Sequence, residues 1–85
     1  ISVSELEEKI KNRLEAVHVE VIDVSDGFGQ AFEVVIVSNL FQGKSTLQRH
    51  RLVNEKLKEE IAAVHAFSQK TFTPEQWKES SNGSK

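Results

Sequence analysis

His65 heads the run HAFSQKT within residues 64–77, VHAFSQKTFTPEQW, and its chemistry is the donation of one imidazole nitrogen. A neutral imidazole titrates near physiological pH and ligates iron, zinc or copper. In an alternating strand His65 points opposite to Val64 and Ala66, and a position at the strand's start leaves a ring nitrogen open to solvent. No second ligand type stands close by in sequence, so spacing alone favours a plain surface histidine over a metal ligand. Lys44, Arg49 and Arg51 offer a second chemistry: they lie in residues 34–54, which contain no carboxylate. Cations at a helix start suit an anion or an acidic partner, or a solvated face in which Arg51 pairs with Glu55. Between the two arginines, His50 and then Asn54 interrupt a stripe of Leu47, Leu57, Ile61 and Val64 at helical spacing. Polar groups in such a stripe need partners, and the loop at 41–43 or the strand after the helix is expected to supply them.

Composition closes several routes. The chain has 85 residues and no cysteine, so neither a disulfide nor a thiolate metal site can be built from it alone. Iron held through sulfur would have to borrow that sulfur. One domain of this size buries only about 60–65 % of its unfolded surface, too thin a core for a deep catalytic cavity. Eleven basic and thirteen acidic residues give a net charge of −2, against a domain devoted to polyanions. SNLFQGKS at 38–45 has the look of a phosphate-binding loop, but Ser38 occupies the place of its first glycine. The turn and cap roles of Gly43 and Ser45 account for that run. Acids at Glu5, Glu7, Glu8, Glu55, Glu59 and Glu60 fall on helix faces where solvated ions are the default, so the chain is read as a non-enzyme.

The elements that must position these residues follow from periodicity. Ser2 and Ser4, each with Glu three positions on, open a helix whose apolar stripe is Val3, Leu6, Ile10, Leu14 and Val17. Residues 17–24 and 31–37 alternate and are β-branched, and SDGFGQ between them reads as a hairpin turn. A continuous helix is predicted over 44–63, capped by Ser45 with Gln48, and a strand over 64–72. Thr73, Pro74 and Gln76 start a last helix that folds Trp77 back onto the domain, and residues 80–85 read as a polar tail beyond a single domain of 1–79. The order αββαβα predicts an α+β fold: a mixed three-stranded sheet, its first pair antiparallel and its second parallel, with helices packed on one face. No apolar run approaches a membrane span. The chain opens at Ile1 rather than methionine, which leaves its compartment unread from that end, and cytoplasm or nucleus is the expectation.

FQGKSTLQRHRLVN at 41–54 together with VHAFSQKTFTPEQW resembles the BolA family, over about Leu6 to Trp77. The resemblance implies the same αββαβα arrangement, similar to the type II K-homology fold. It also implies an adaptor that pairs with a monothiol glutaredoxin and shares a 2Fe-2S cluster for iron-sulfur trafficking or iron regulation. In that implied arrangement His65 is the ligand from this chain, the glutaredoxin gives a cysteine thiolate, and its glutathione gives another. Lys44, Arg49, Arg51, Ala66 and Phe67 would form the partner-binding face, with the chain a monomer when alone and a heterodimer with its partner. Many members of the family carry a cysteine or a histidine in the first hairpin loop as a candidate second ligand, where this chain has Phe28, a ring that cannot bind iron. Three accounts follow: His65 is the sole ligand from this chain, His18 or His50 substitutes, or cluster sharing is weakened. The alternative function is a nucleic-acid-binding regulator using Lys44, Arg49 and Arg51 on phosphates. It lacks the GxxG loop between helices with which a K-homology domain grips a backbone.

Overall fold

The computed structural model describes residues 2–27 and 29–83. Helix α1 (Val3–Arg13) starts at Ser2, whose side chain accepts from the Glu5 amide at 3.1 Å. It buries Leu6 and Ile10 and ends as the Leu14 amide donates to the Ile10 carbonyl. The chain reverses at Glu15, whose φ of 49° is left-handed and costly for a residue with a Cβ. What holds it is the burial of Leu14 and Ala16 on either side, with the Ser38 hydroxyl donating to the Leu14 carbonyl at 2.7 Å. Ser38 also accepts from the Leu40 amide, so the residue that replaces a phosphate-loop glycine is a structural tie.

Strand β1 (Ala16–Asp23) pairs antiparallel with β2 (Ala31–Ser38), and β2 pairs in parallel with β3 (Ala66–Phe72), giving the expected mixed sheet in the order β1-β2-β3. One face buries Phe32, Val34 and Ile36 of β2 and packs Val19, Val21 and Phe67 against α1 and the later helices. Completely burying a side chain such as Phe32 or Phe41 contributes about 1.5–3 kcal/mol, and these two are the largest fully buried groups. Val17, which the helical spacing assigned to the first stripe, lies instead in β1 at a bulge and is 59 % exposed.

After β2 a 3-10 turn (Asn39–Phe41) and Gly43, at φ 74°, lead into α2 (Thr46–Lys56). The Ser45–Gln48 capping box is present in both directions, at 3.2 and 2.8 Å. The helix predicted to run unbroken breaks at Leu57, with φ −116° and ψ 23°, before a short α3 (Lys58–Ala62). Its buried residues are Val53 and Leu57: the predicted stripe holds at Leu57, but Val53 is buried in place of Asn54, which faces solvent, and Leu47 is 59 % exposed. Asn54 still meets the third strand, accepting from Gln69 Nε2 at 3.1 Å. His50 is half-buried rather than committed to the core.

Thr73 accepts from the Gln76 amide while Gln76 Oε1 accepts from the Thr73 amide, a second capping box that opens α4 (Pro74–Gly83). The helix therefore takes in the backbone of 80–83, the first part of the expected tail. His18, Val37 and Phe72 are register partners on the sheet face opposite the main core. Trp77 stacks on His18 at 5.0 Å and tilts against Phe72 at 5.4 Å, so it folds back as expected. Among the described residues no helix is long and apolar enough to cross a membrane.

Candidate functional site

His65 lies in the turn between α3 and β3 and is exposed, as the strand-start position requires of a donor. Its placement depends on the β1–β2 hairpin. The His65 amide donates to the Gln30 carbonyl at 2.8 Å, and the Ala66 amide shares that carbonyl at 3.3 Å. The base of the hairpin is closed by Ser25: its hydroxyl accepts from the Ala31 amide at 2.9 Å, and its own amide donates to Asp23 Oδ1 at 2.8 Å. Hydrogen bonds from the Ser25 side chain and then its amide hold the exposed Asp23 carboxyl below its ordinary value. The loop then passes Gly29 directly against His65, where a Cβ on the glycine would stand 3.0 Å from His65 Cβ. Hairpin loop and histidine thus form one surface. Phe28, the loop residue in doubt, lies outside the described residues.

No three His, Asp or Glu side chains converge as a metal site among the described residues. Among the described residues the exposed imidazole of His65 is the histidine on this surface. His18 cannot add to it, because its register partners Val37 and Phe72 put it at the opposite end of the sheet from the Ala31–Ala66 pair beside His65. Its Nε2 is instead 2.9 Å from Glu20 Oε2. Ala66 is exposed next to His65, while Phe67 is half-buried and turned toward the core.

The three cations do not act as one patch. Arg49 is half-buried and occupied: Nε donates to the Lys44 carbonyl at 3.1 Å, and Nη1 to Gln76 Oε1 at 2.8 Å and the Thr71 carbonyl at 3.4 Å. Its guanidinium lies 5.9 Å from the centre of the Phe41 ring. Lys44 and Arg51 remain on a shallow cleft with Gln48, Leu52 and Glu55. Thr71 is six residues beyond His65, about 20 Å along an extended strand, so the arginine and the histidine mark different ends of the molecule.

Glu60 corrects another expectation. Read as a solvated ion, it is 5 % exposed and bonded to Lys9 at 3.1 Å and to Arg13, both on α1. Burial pushes its carboxyl upward, but bonds from Lys9, its own amide and Arg13, with the Arg13 charge, outweigh burial and leave the carboxyl below its ordinary value. Two cations four residues apart beside an apolar stripe were the signal available in sequence.

A mixed three-stranded sheet in the order β1-β2-β3 with helices α1 to α4 makes this a small α+β module. The chain belongs to the BolA family: the family model described as BolA-like protein matches residues 10–76. It is 54 % identical over 78 residues to BolA-like protein 2 of Mus musculus, covering 91 % of each chain. It is 45 % identical over 85 residues to Protein BOLA2 of Arabidopsis thaliana, covering 99 % of this chain and 91 % of the other. Among solved structures it is similar to a bol-like protein from Babesia bovis, with a TM-score of 0.87, 40 % identity, and 95 % and 94 % of the two chains covered.

Proposed function

We propose that this chain is a non-enzymatic adaptor that pairs with a monothiol glutaredoxin and lends His65 to a 2Fe-2S cluster passing between proteins. The observation that carries this reading is the exposed His65 side chain on a backbone pinned to the hairpin loop, in a chain with no cysteine. The two sulfur donors come from the partner's cysteine and from glutathione. A neutral nitrogen in place of a thiolate lowers the negative charge at one iron, which raises the potential and loosens that side of the cargo. A chain supplying one such ligand from an open surface suits transfer or sensing better than storage. In this reading His65 is the ligand from this chain; His18 lies at the far end of the sheet, stacked on Trp77.

The test is anaerobic reconstitution with a monothiol glutaredoxin and glutathione, comparing the chain with His65→Ala. The complex is expected to form with both proteins, while the visible absorption and circular dichroism bands of the cluster change in the variant. Identical spectra would remove His65 as a ligand.

A further inference from the structure

The hairpin loop and His65 meet where only a hydrogen fits. A Cβ on Gly29 would stand 3.0 Å from His65 Cβ and 3.6 Å from its Cγ, against about 3.5–4.0 Å for carbons at their optimal separation. Neither side can withdraw cheaply. The His65 backbone is bonded to Gln30 at 2.8 Å, and the hairpin is closed by the Ser25 bonds to Ala31 and Asp23 at 2.9 and 2.8 Å. Gly29 also holds a φ of 142°, which L side chains rarely adopt. Gly27, in the same loop, has open space where its Cβ would be.

We infer that Gly29 is a positioning residue for His65: the bare glycine lets the loop close on the histidine stem and sets the direction in which the imidazole leaves the strand. This rests on the reading of His65 as the nitrogen donor and names what aims it. A methyl group at Gly29 must push the His65 Cβ away, which shifts the His65 backbone against its bond to the Gln30 carbonyl or opens the loop, because Cβ lies on the Cα–Cβ axis and turning the ring relieves only the Cγ contact. A tilt of the stem is carried outward, so the ring nitrogens, further out on the side chain, are displaced more than Cβ.

The apo chain gives the first readout. Gly29→Ala is expected to shift the His65 ring resonances in carbon-proton NMR spectra and to weaken hydrogen-exchange protection of the His65 amide, whereas Gly27→Ala does neither. Backbone strain at Gly29 is separated from the contact by a double-mutant cycle in thermal stability. His65→Gly removes the Cβ and should abolish most of the Tm loss caused by Gly29→Ala, while His65→Ala keeps the Cβ and keeps the loss. An equal loss in all backgrounds would show that the glycine serves only its own φ and would overturn the inference. On reconstitution with the glutaredoxin and glutathione, Gly29→Ala should change the cluster spectrum although His65 is present. An unchanged spectrum alongside shifted ring resonances also overturns the positioning role. Should His65→Ala itself leave the spectrum unaltered, the adaptor reading fails, and the apo cycle still decides whether glycine and histidine are coupled.

Discussion

Glu60 shows how one side chain can change roles between sequence and structure. Its carboxylate is nearly excluded from water, yet Lys9 and Arg13 reach it from α1 with their own side chains 40 % and 39 % exposed. Solvent therefore screens the cations, and the net worth of the triad is a modest one, about 1–2 kcal/mol. Because the folded-state pKa lies below the unfolded value of about 4.3, this stabilisation is fully present above that pH and is lost as pH falls through the folded value. Glu60→Gln should cost about 1–2 kcal/mol in urea unfolding at pH 7, with the gap between variant and parent closing below about pH 4. A gap independent of pH would mean that packing, not charge, fixes this residue. His65 is the contrasting case: its exposure was expected from the sequence, although it lies in the turn before β3 and the neighbouring Ala66 is exposed as well. Its coupling to Gly29 was not, since 36 residues of sequence separate a contact of one carbon width.

At the scale of elements, Arg49 joins three of them. Its bonds to the Lys44 carbonyl, the Thr71 carbonyl and Gln76 tie the start of α2 to the end of β3 and the first turn of α4. Bonding the Thr71 carbonyl also satisfies a backbone group of β3, a strand at the edge of the sheet, where unpaired groups invite foreign strands. Arg49→Ala is expected to destabilise the fold by about 1–2 kcal/mol and to alter Trp77 fluorescence as α4 loosens. Arg49→Lys should recover little of it, since an ammonium lacks the fork that spans these acceptors. Denaturant midpoints and tryptophan emission measure both, and an Arg49→Ala protein of parental stability would contradict the assignment. The caps of this region were readable in advance: Ser45 with Gln48, and Thr73 with Gln76, form as their spacing implied. The break at Leu57 was not, because the apolar spacing continues across it through Leu57, Ile61 and Val64.

At the scale of the whole molecule, Lys44 and Arg51 line a cleft with Gln48, Leu52 and Glu55, while His65 lies against the hairpin at Gly29 and Gln30. Lys44→Glu with Arg51→Glu should therefore leave the cluster spectrum per complex equal to the parent's under the same reconstitution, even where affinity for the partner changes. A changed spectrum would put those cations at the metal and contradict the geometry. Binding to duplex DNA at about 150 mM salt is expected to be absent, because Arg49 is spent on the fold and two cations beside Glu55 give little counterion release.

Local physics was enough to write the element order, the antiparallel and parallel pairings, the caps and the solvent-facing histidine from the residues alone. The elements and caps depend on spacing and propensity within a few positions along the chain, and the pairings on how the strands are connected. The tertiary structure decided which charges are free, which face of α2 is buried, and what stands beside His65. Those outcomes turn on contacts between residues far apart in the chain, such as Glu60 with Lys9, Arg49 with Thr71 and Gly29 with His65. No period in the sequence encodes such distances, which are set only when the layers close on a common core.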